Sequence, residues 1–362
     1  MFDWIPLEYY KPLYYYTSLI IVLFIGIHTM SKNLQDRKVV IMSQNIGMLF
    51  LIGLVFYVGF RPVSGQYFGD MSVYANYFNN YQEGNPITIK EDVLFHIFTK
   101  ICSSFMSVHA YFLTCAAMYI VPLYFVSNKW FKAYWFYAFL LLSVSFSFWA
   151  YGTNGIRNGI ATSFFLLAIS RTQWLWRGLI LFIAVSIHNS VALPMLAYLL
   201  ANFYTQPKYY LYFWIACIPI SLVAGMDLQG IFAGFIDSSR TSYLIDGNVN
   251  DDHFSSTGFR WDFLLYSASA IIAGWYYVFK LNYKYKPYLV LYCTYLIANS
   301  FWILVIKANF SNRFAYLSWF MMALVIVFPL IKHKIMSKQT QFLVYVTLAY
   351  FGFTFFMFLI SM

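Results

Sequence analysis

Apolar runs close to the ~20 residues that a helix needs to cross a bilayer recur from one end of this chain to the other. Because hydrocarbon offers no water to the backbone, each run must satisfy its own hydrogen bonds, as an α-helix does. The runs are continuous rather than alternating, which argues against a transmembrane β-barrel. Only 10% of the residues are charged, compared with about a quarter in soluble proteins. The sequence therefore predicts an all-α polytopic membrane protein, in which residues 1–362 form a single integral membrane domain.

About twelve transmembrane helices account for the apolar runs. They are predicted at residues 15–31, 39–60, 105–126, 133–150, 156–170, 174–188, 189–205, 209–226, 261–279, 287–306, 314–331 and 340–361. The N-terminus has neither a basic segment nor a small-residue cleavage site. The first helix is therefore expected to stay in the protein rather than be removed as a signal peptide.

Lysines mark one side of the predicted membrane. Most of the 23 basic residues lie in or beside short connections on that side, which the positive-inside rule makes cytoplasmic. The opposite side carries two long loops, residues 61–104 and 227–260. Glu91 and Asp92 are expected to begin an interfacial helix over residues 91–104, because acidic residues favour the first turn of a helix. The net charge of +10 suits orientation and anionic membrane lipid, and needs no nucleic acid partner.

The type of basic residue changes between the two sides. Lysine dominates the cytoplasmic side, whereas Arg61, Arg157, Arg260 and Arg313 lie near span ends on the other side. A planar guanidinium binds phosphate or carboxylate through two parallel hydrogen bonds. Four arginines at one depth could therefore surround a pocket for the anionic head of an amphiphile, and a lipid pyrophosphate is the best physical match. Alternatively, each arginine reaches the lipid headgroups independently.

The segment YGTNGIRNG, residues 151–159, carries the strongest local signal. Its glycines allow a tight turn, and Asn154 and Asn158 supply amide donors. Arg157 opens a predicted helix, whose free N–H groups and positive dipole end favour an anion. The segment is thus a candidate anion site, with an arginine that merely reaches the lipid headgroups as the alternative.

Two residues are candidates for a general base toward an attacking hydroxyl group. His188 stands at the outer end of a predicted span and is followed by Asn189 and Ser190, which could fix its tautomer. The alternative is a packed, hydrogen-bonded histidine. Asp70, in the first long loop, is the second candidate, and its alternative is a salt bridge to Arg61 or another outer arginine.

No metal and no cofactor is predicted. Residues 246–257 begin like a calcium loop but lack its glycine at position six and its glutamate at position twelve. Glu91 and Asp92 could hold a divalent ion beside a pyrophosphate, but their place at a helix start is the preferred interpretation. The Walker, GxGxxG and HExxH motifs are absent.

Five segments, taken in order, resemble the EpsG-like branch of Wzy-type polysaccharide polymerases, the O-antigen polymerases of bacterial inner membranes. The segments are GFRPVSGQYFGDMSVYANYF (59–78), YGTNGIRNGIATSFFLLAIS (151–170), IHNSVALPML (187–196), STGFRWDFLLYSA (256–268) and SNRFAYLSWF (311–320). They extend over most of the chain, and the second carries an R-x-x-x-A element as Arg157 and Ala161.

The resemblance implies a GT-C-like glycosyltransferase with its active site at the periplasmic face. Such an enzyme would move a growing glycan from undecaprenyl pyrophosphate to the terminal sugar of a second lipid-linked repeat unit. Arginines that stabilise the leaving pyrophosphate could supply much of the catalysis. The implied site consists of His188, Asp70 and Arg157 for catalysis, with Arg61, Asn154, Arg260, Arg313, Tyr74 and Tyr316 for binding pyrophosphate and substrate.

The implied partners are the undecaprenyl-pyrophosphate-linked oligosaccharide, membrane lipid and a co-polymerase that sets chain length. Three other functions are compatible with the same residues. An O-antigen ligase would share the donor and differ in the acceptor. A flippase of lipid-linked oligosaccharide would usually show repeated halves and polar residues at mid-membrane. A scaffold of an envelope assembly complex would need no chemistry at all.

Overall fold

The computed structural model describes residues 4–32, 36–233, 258–308 and 311–362, and of residues 225–233 it describes the backbone. Every regular element within these residues is helical, so the all-α prediction is confirmed. The α-helices of the described residues are α1 (Leu7–Ser31), α2 (Arg37–Gly59), α3 (Gly65–Phe68), α4 (Met71–Gln82), α5 (Val93–Ser103), α6 (Val108–Phe131), α7 (Trp135–Ser143), α8 (Phe146–Thr153), α9 (Ile156–Ile169), α10 (Trp174–Ile187), α11 (Ala192–Phe203), α12 (Pro207–Ala233), α13 (Trp261–Trp275), α14 (Lys286–Leu304), α15 (Asn312–Lys332) and α16 (Gln339–Ile360).

Six helical stretches of the described chain are long and apolar enough to cross a membrane. They are α1, α2, α14, α15, α16 and the stretch Val108–Ser143, which continues α6 through α7. The predicted count of twelve is not confirmed. In residues 133–205 the apolar sequence folds into α-helices of 8 to 14 residues. The spans predicted at 209–226 and 261–279 are also not among the six.

The break between α7 and α8 shows how a predicted span is interrupted. Ser145 has an extended backbone, so the predicted span 133–150 becomes two helices of 9 and 8 residues. The hydroxyl groups of Ser143 and Ser145 donate to the carbonyl oxygens of Leu140 and Leu142, at 2.9 Å each. Side-chain hydroxyls thereby satisfy carbonyls at the helix end, and hydropathy alone does not detect such a break.

The chain packs as two compact units, residues 1–192 with 330–362, and residues 193–329. In the first unit α6 packs against α2 and α9, α10 packs against α9, and α1 packs along α16. The predicted loop 61–104 contains α3, α4 and α5, and α5 matches the helix expected over residues 91–104. Most of the predicted loop 227–260, including the calcium-like segment, lies outside the described residues.

In the second unit, a buried amide connects four helices. The side-chain amide nitrogen of Asn299 on α14 donates to the hydroxyls of Ser267 on α13 and Ser318 on α15, at 3.2 and 2.9 Å. Its carbonyl oxygen accepts from the indole of Trp214 on α12 at 2.8 Å. The Ser267 hydroxyl also accepts from the indole of Trp319 at 2.6 Å. Because Asn299 is fully buried, these bonds replace hydrogen bonds that water would otherwise make.

We expect Asn299→Leu, a substitution of similar shape, to lower the thermal stability of the protein. Three hydrogen bonds are lost and the Trp214 indole is left without its acceptor, which should cost roughly 1–3 kcal/mol. Unfolding followed by intrinsic fluorescence in detergent measures the effect. Thr294→Val is the matched control, because the Thr294 side chain is buried on α14 and its hydroxyl donates to the Val290 carbonyl of its own helix. Equal melting temperatures for the two variants would contradict the prediction.

Candidate active site

The carboxylate of Asp92 is the centre of a polar cluster in the first unit. Its Oδ2 accepts hydrogen bonds from Arg157 Nη1 at 2.9 Å and from His188 Nδ1 at 2.6 Å. Its Oδ1 accepts from the backbone N–H of Asn189 at 3.0 Å. The Asp92 side chain is only 4% exposed. A charge so buried persists only when it is paired and hydrogen-bonded, and these three donors meet that need.

Asp92 directly precedes α5 but does not cap it. Its backbone lies in the left-handed region, with φ 49° and ψ 39°, and its side chain makes no capping hydrogen bond. The expectation that the acidic pair caps this helix is therefore wrong for Asp92. A left-handed conformation costs a non-glycine residue about 1 kcal/mol or more, and residues held in that way cluster at functional sites. Here the conformation directs the carboxylate away from its own helix.

His188 lies in the break that ends α10. Its extended backbone, with φ −155° and ψ 115°, separates α10 from a short 3₁₀ turn at Asn189–Val191. The Ser190 hydroxyl donates to Asn158 Oδ1 on α9 at 2.8 Å, which holds this turn against the start of α9. The predicted neighbours of His188 thus act differently: Asn189 binds the carboxylate through its backbone, and Ser190 binds another helix.

The tautomer of His188 follows from its partner. An ionised carboxylate only accepts hydrogen bonds, so Nδ1 carries the hydrogen in the bond to Asp92. In the neutral ring Nε2 is then the basic nitrogen. A carboxylate that fixes a histidine in this form orients it for general base catalysis.

Arg157 lies in the first turn of α9, with a side chain that is 27% exposed. Its Cζ lies 5.6 Å from the centre of the buried Tyr74 ring on α4, at cation–π distance. Its Nε is buried and has no hydrogen-bond partner among the described residues. Buried N–H donors are almost always satisfied, so this donor needs a ligand or water as its acceptor.

The pKa of Asp92 reflects opposing influences. Burial raises it, whereas the hydrogen bond from His188, the charges of His188 and Arg157 and the Asn189 amide lower it, and the net shift is downward. A depressed pKa means that ionised Asp92 stabilises the folded state above its ordinary pKa of about 3.9. That contribution is lost as the pH falls through the folded-state pKa. The carboxylate is therefore charged throughout the neutral range.

Arg61 is almost completely buried, with 1% exposure. Its guanidinium donates to the carbonyl oxygens of Val58, at the end of α2, and of Thr153, at the end of α8. The rings of Phe68 and Phe112 lie 5.5 and 5.7 Å from its Cζ. Burial lowers the pKa of Arg61 to about 10, so it stays charged at neutral pH. Arg61 therefore connects two helix ends, and its contact with pyrophosphate stays a prediction.

The backbone of Asp70 is hydrogen-bonded to the side chain of Asn154. The Asp70 N–H donates to Asn154 Oδ1 at 2.8 Å, while the Asp70 side chain is exposed at the start of α4. Gly69 precedes it with φ +55°, and a Cβ at this position would lie 2.4 Å from Asn154 Oδ1. Asn154 therefore fixes the turn that begins α4, the helix that carries Tyr74.

The remaining predicted residues belong to the second unit. Arg260 donates from Nε and Nη2 to the two oxygens of Asp262, at 2.9 and 2.6 Å, and its Cζ lies 3.7 Å from the Phe263 ring centre. The guanidinium of Arg260 thus pairs with the carboxylate of Asp262. Arg313 is exposed in the first turn of α15, and Tyr316 is half-buried one turn later.

Six of the predicted site residues form one connected neighbourhood in the first unit: Arg61, Asp70, Tyr74, Asn154, Arg157 and His188. Asp92, which joins the last two, was predicted at a helix start, with a divalent-ion ligand as the alternative. Among the described residues, no group of three or more His, Cys, Asp or Glu side chains is placed to hold a metal ion.

Gly69→Ala should destabilise the protein by displacing the Asn154 amide. Both Gly69 and Gly84 have positive φ, at 55° and 93°, but a Cβ at Gly84 would have no neighbour within 4 Å. Gly84→Ala is therefore the control for backbone strain alone, which is about 1 kcal/mol. We expect Gly69→Ala to cost at least about 1 kcal/mol more, because a hydrogen bond is also lost. Thermal unfolding compares the two variants, and an equal loss would contradict the displacement.

Comparison with known families identifies the family of this chain. A family model described as the EpsG family matches residues 44–362 of the 362-residue chain. No curated protein and no solved structure matches the chain. The match includes Arg61, Asp92, Arg157 and His188, and it confirms the resemblance noted from the five segments. Together with the long apolar helices, it indicates a polysaccharide polymerase-like membrane protein, and the chain belongs to the EpsG family.

Proposed function

We propose that this protein is a polysaccharide polymerase that transfers a growing glycan between two polyprenyl-pyrophosphate carriers. One observation carries the proposal: Arg157, Asp92 and His188 form a buried cluster in which Arg157 keeps an unsatisfied donor, Nε. A guanidinium with an N–H donor that has no acceptor is suited to bind an anion. A histidine bound to a carboxylate is suited to accept a proton.

Arg157 is the proposed ligand of the pyrophosphate leaving group. Asp92 binds its Nη1, which leaves Nε as a donor on another edge of the guanidinium. The Tyr74 ring supports the guanidinium plane. As the glycosidic bond breaks, negative charge develops on the pyrophosphate oxygen, and a preorganised cation beside it lowers the barrier. The free N–H groups at the start of α9 favour the same charge.

His188 is the proposed general base. A hydroxyl of the acceptor sugar attacks the anomeric carbon of the donor glycan, and its proton passes to Nε2 of His188. The new C–O bond forms as the bond from the anomeric carbon to the pyrophosphate oxygen breaks, and the electron pair leaves with the pyrophosphate. Asp92 stabilises the resulting imidazolium and holds the ring, so it is a positioning residue. Asp70 remains a second candidate for the base, because its side chain is exposed in the same neighbourhood.

The proposed setting is the bacterial inner membrane, with the site facing the periplasm and the lysine-rich ends in the cytoplasm. About twelve membrane segments and a GT-C-like architecture belong to this proposal, with the short helices α8 to α11 counted among the segments. Arg260, Arg313 and Tyr316 are proposed to contact the second lipid carrier. The partners are the undecaprenyl-pyrophosphate-linked oligosaccharide and a co-polymerase that sets polymer length.

Arg157→Lys should abolish most polymer formation, because lysine keeps the charge but cannot bind Asp92 and pyrophosphate through separate edges. We expect a loss of activity on the order of 10²-fold. The measurement is polymer length and amount in a strain that lacks the chromosomal gene and carries the variant at normal protein level. Arg37→Lys, on an exposed residue at the start of α2, is the control and should restore full polymer.

The same strain separates the proposed function from its rivals. A polymerase defect leaves single repeat units attached to core lipid. A complete absence of attached sugar indicates a ligase or flippase instead. Normal polymer with Arg157→Lys removes Arg157 from the site whatever the function.

Asp92→Asn should reduce activity and change its pH dependence. The neutral amide no longer stabilises the imidazolium, so the acidic limb of the pH–rate profile should move to lower pH while the maximum rate falls at least about tenfold. Purified protein and lipid-linked repeat units provide the assay. Asp36→Asn is the control, because Asp36 is an exposed acid that only caps α2. A lower rate with an unmoved profile would mean that Asp92 acts on packing alone.

A further inference from the structure

A second polar site lies at the other end of the helices that carry Arg157 and His188. An open cleft of about 540 Å³ is lined by the last turns of α6 and α9 and the first turns of α10. Its polar lining includes Lys129 from α6, and Arg171, Thr172 and Gln173 from the connection between α9 and α10. The proposed reaction does not use these residues.

The charge of the cleft is positive. Lys129 is exposed on the last turn of α6. Arg171 is half-buried, and its Nε donates to the Leu167 carbonyl at 3.3 Å. That bond orients the guanidinium and leaves its other donors for a ligand. None of the described residues that line the cleft is acidic. Two cations with neighbouring hydroxyl and amide groups match a phosphate group.

An apolar surface continues from the cleft along α10. Leu175, Leu179 and Phe182 are spaced by four and three residues, so they share one face of the helix. They are exposed by 63, 47 and 70%. Trp176 lines the cleft itself and is 55% exposed. Tryptophan at the edge of an apolar surface is typical of the membrane–water interface. A ligand that fits both parts has an anionic head and a hydrocarbon chain.

We propose that this cleft binds the phosphate headgroup of an anionic phospholipid, whose acyl chain lies along the exposed face of α10. The proposal does not rest on the polymerase reaction, only on the placement of α10 in a bilayer. The bound lipid would lie at the end of α9 opposite to Arg157. Its single negative charge would offset part of the positive charge of Lys129 and Arg171 at the lysine-rich end of the molecule.

The test is native mass spectrometry of the full-length protein titrated with dioleoyl phosphatidylglycerol, and separately with dioleoyl phosphatidylcholine. We expect tighter binding of phosphatidylglycerol. Lys129→Gln should weaken that binding about fivefold, since one basic residue near a membrane surface contributes about a factor of that size. The Lys129 side chain makes no contact that folding needs, so this variant remains informative if Arg171→Gln proves unstable. Arg171→Gln, where folded, should show a similar or larger loss.

Lys38→Gln is the matched control, because Lys38 is an exposed lysine of the same unit outside the cleft. Binding by this variant should equal that of the unmodified protein. Equal losses with Lys129→Gln and Lys38→Gln would overturn the proposal, as would equal affinity for the two lipids. Inorganic phosphate distinguishes the source of the anion. If phosphate at the same concentration displaces the lipid, the cleft is a site for free anions and the lipid assignment is wrong.

Discussion

A single carboxylate organises the candidate active site. Asp92 joins the start of α5 to the start of α9 and to the turn after α10, through partners 65, 96 and 97 residues away. Taking such a charge out of water costs several kcal/mol, which only a full set of donors offsets. Removing one partner would leave an uncompensated buried charge, so the three segments hold one another in place. The positions of Arg157 and His188 therefore depend on each other, because both side chains bind the same Asp92 carboxylate.

The helices near this cluster are interrupted, and polar side chains lie at several of the interruptions. Asn154 follows the end of α8 and binds the turn before α4, Arg61 binds the last carbonyl of α8, and His188 occupies the end of α10. Broken helices expose backbone groups, which membrane proteins tolerate only where protein or a polar cavity satisfies them. Here side chains satisfy several of these groups. The breaks therefore mark the places where an otherwise apolar chain can present polar chemistry.

Hydropathy predicted the fold class and the long spans because transfer from water to hydrocarbon depends on composition over a window of residues. It could not locate the break at Ser145, since one polar residue barely changes such an average, whereas the predicted spans 174–188 and 189–205 do meet at the His188 break. The candidate residues at the ends of spans were accessible from sequence because charge at that depth is rare. The contacts of Asp92 could not be predicted from the sequence, because its left-handed backbone and its distant partners leave no local sequence pattern. The burial of Arg61 likewise follows from packing around Phe68 and Phe112.

The hairpin of α9 and α10 has a consequence for the surrounding lipid. Each helix has 14 residues, a length of about 21 Å, whereas the hydrocarbon of a typical bilayer is about 30 Å thick. In the proposed topology α9 and α10 cross the membrane. Set upright, such a hairpin is too short for a bilayer of this thickness, and mismatch of this kind draws the two leaflets toward each other. Under the proposed function, this thinning lies beside Arg157, where the polyprenyl carrier would enter and leave. Such local thinning of the bilayer would bring the headgroups of the proposed lipid carrier to the depth of Arg157.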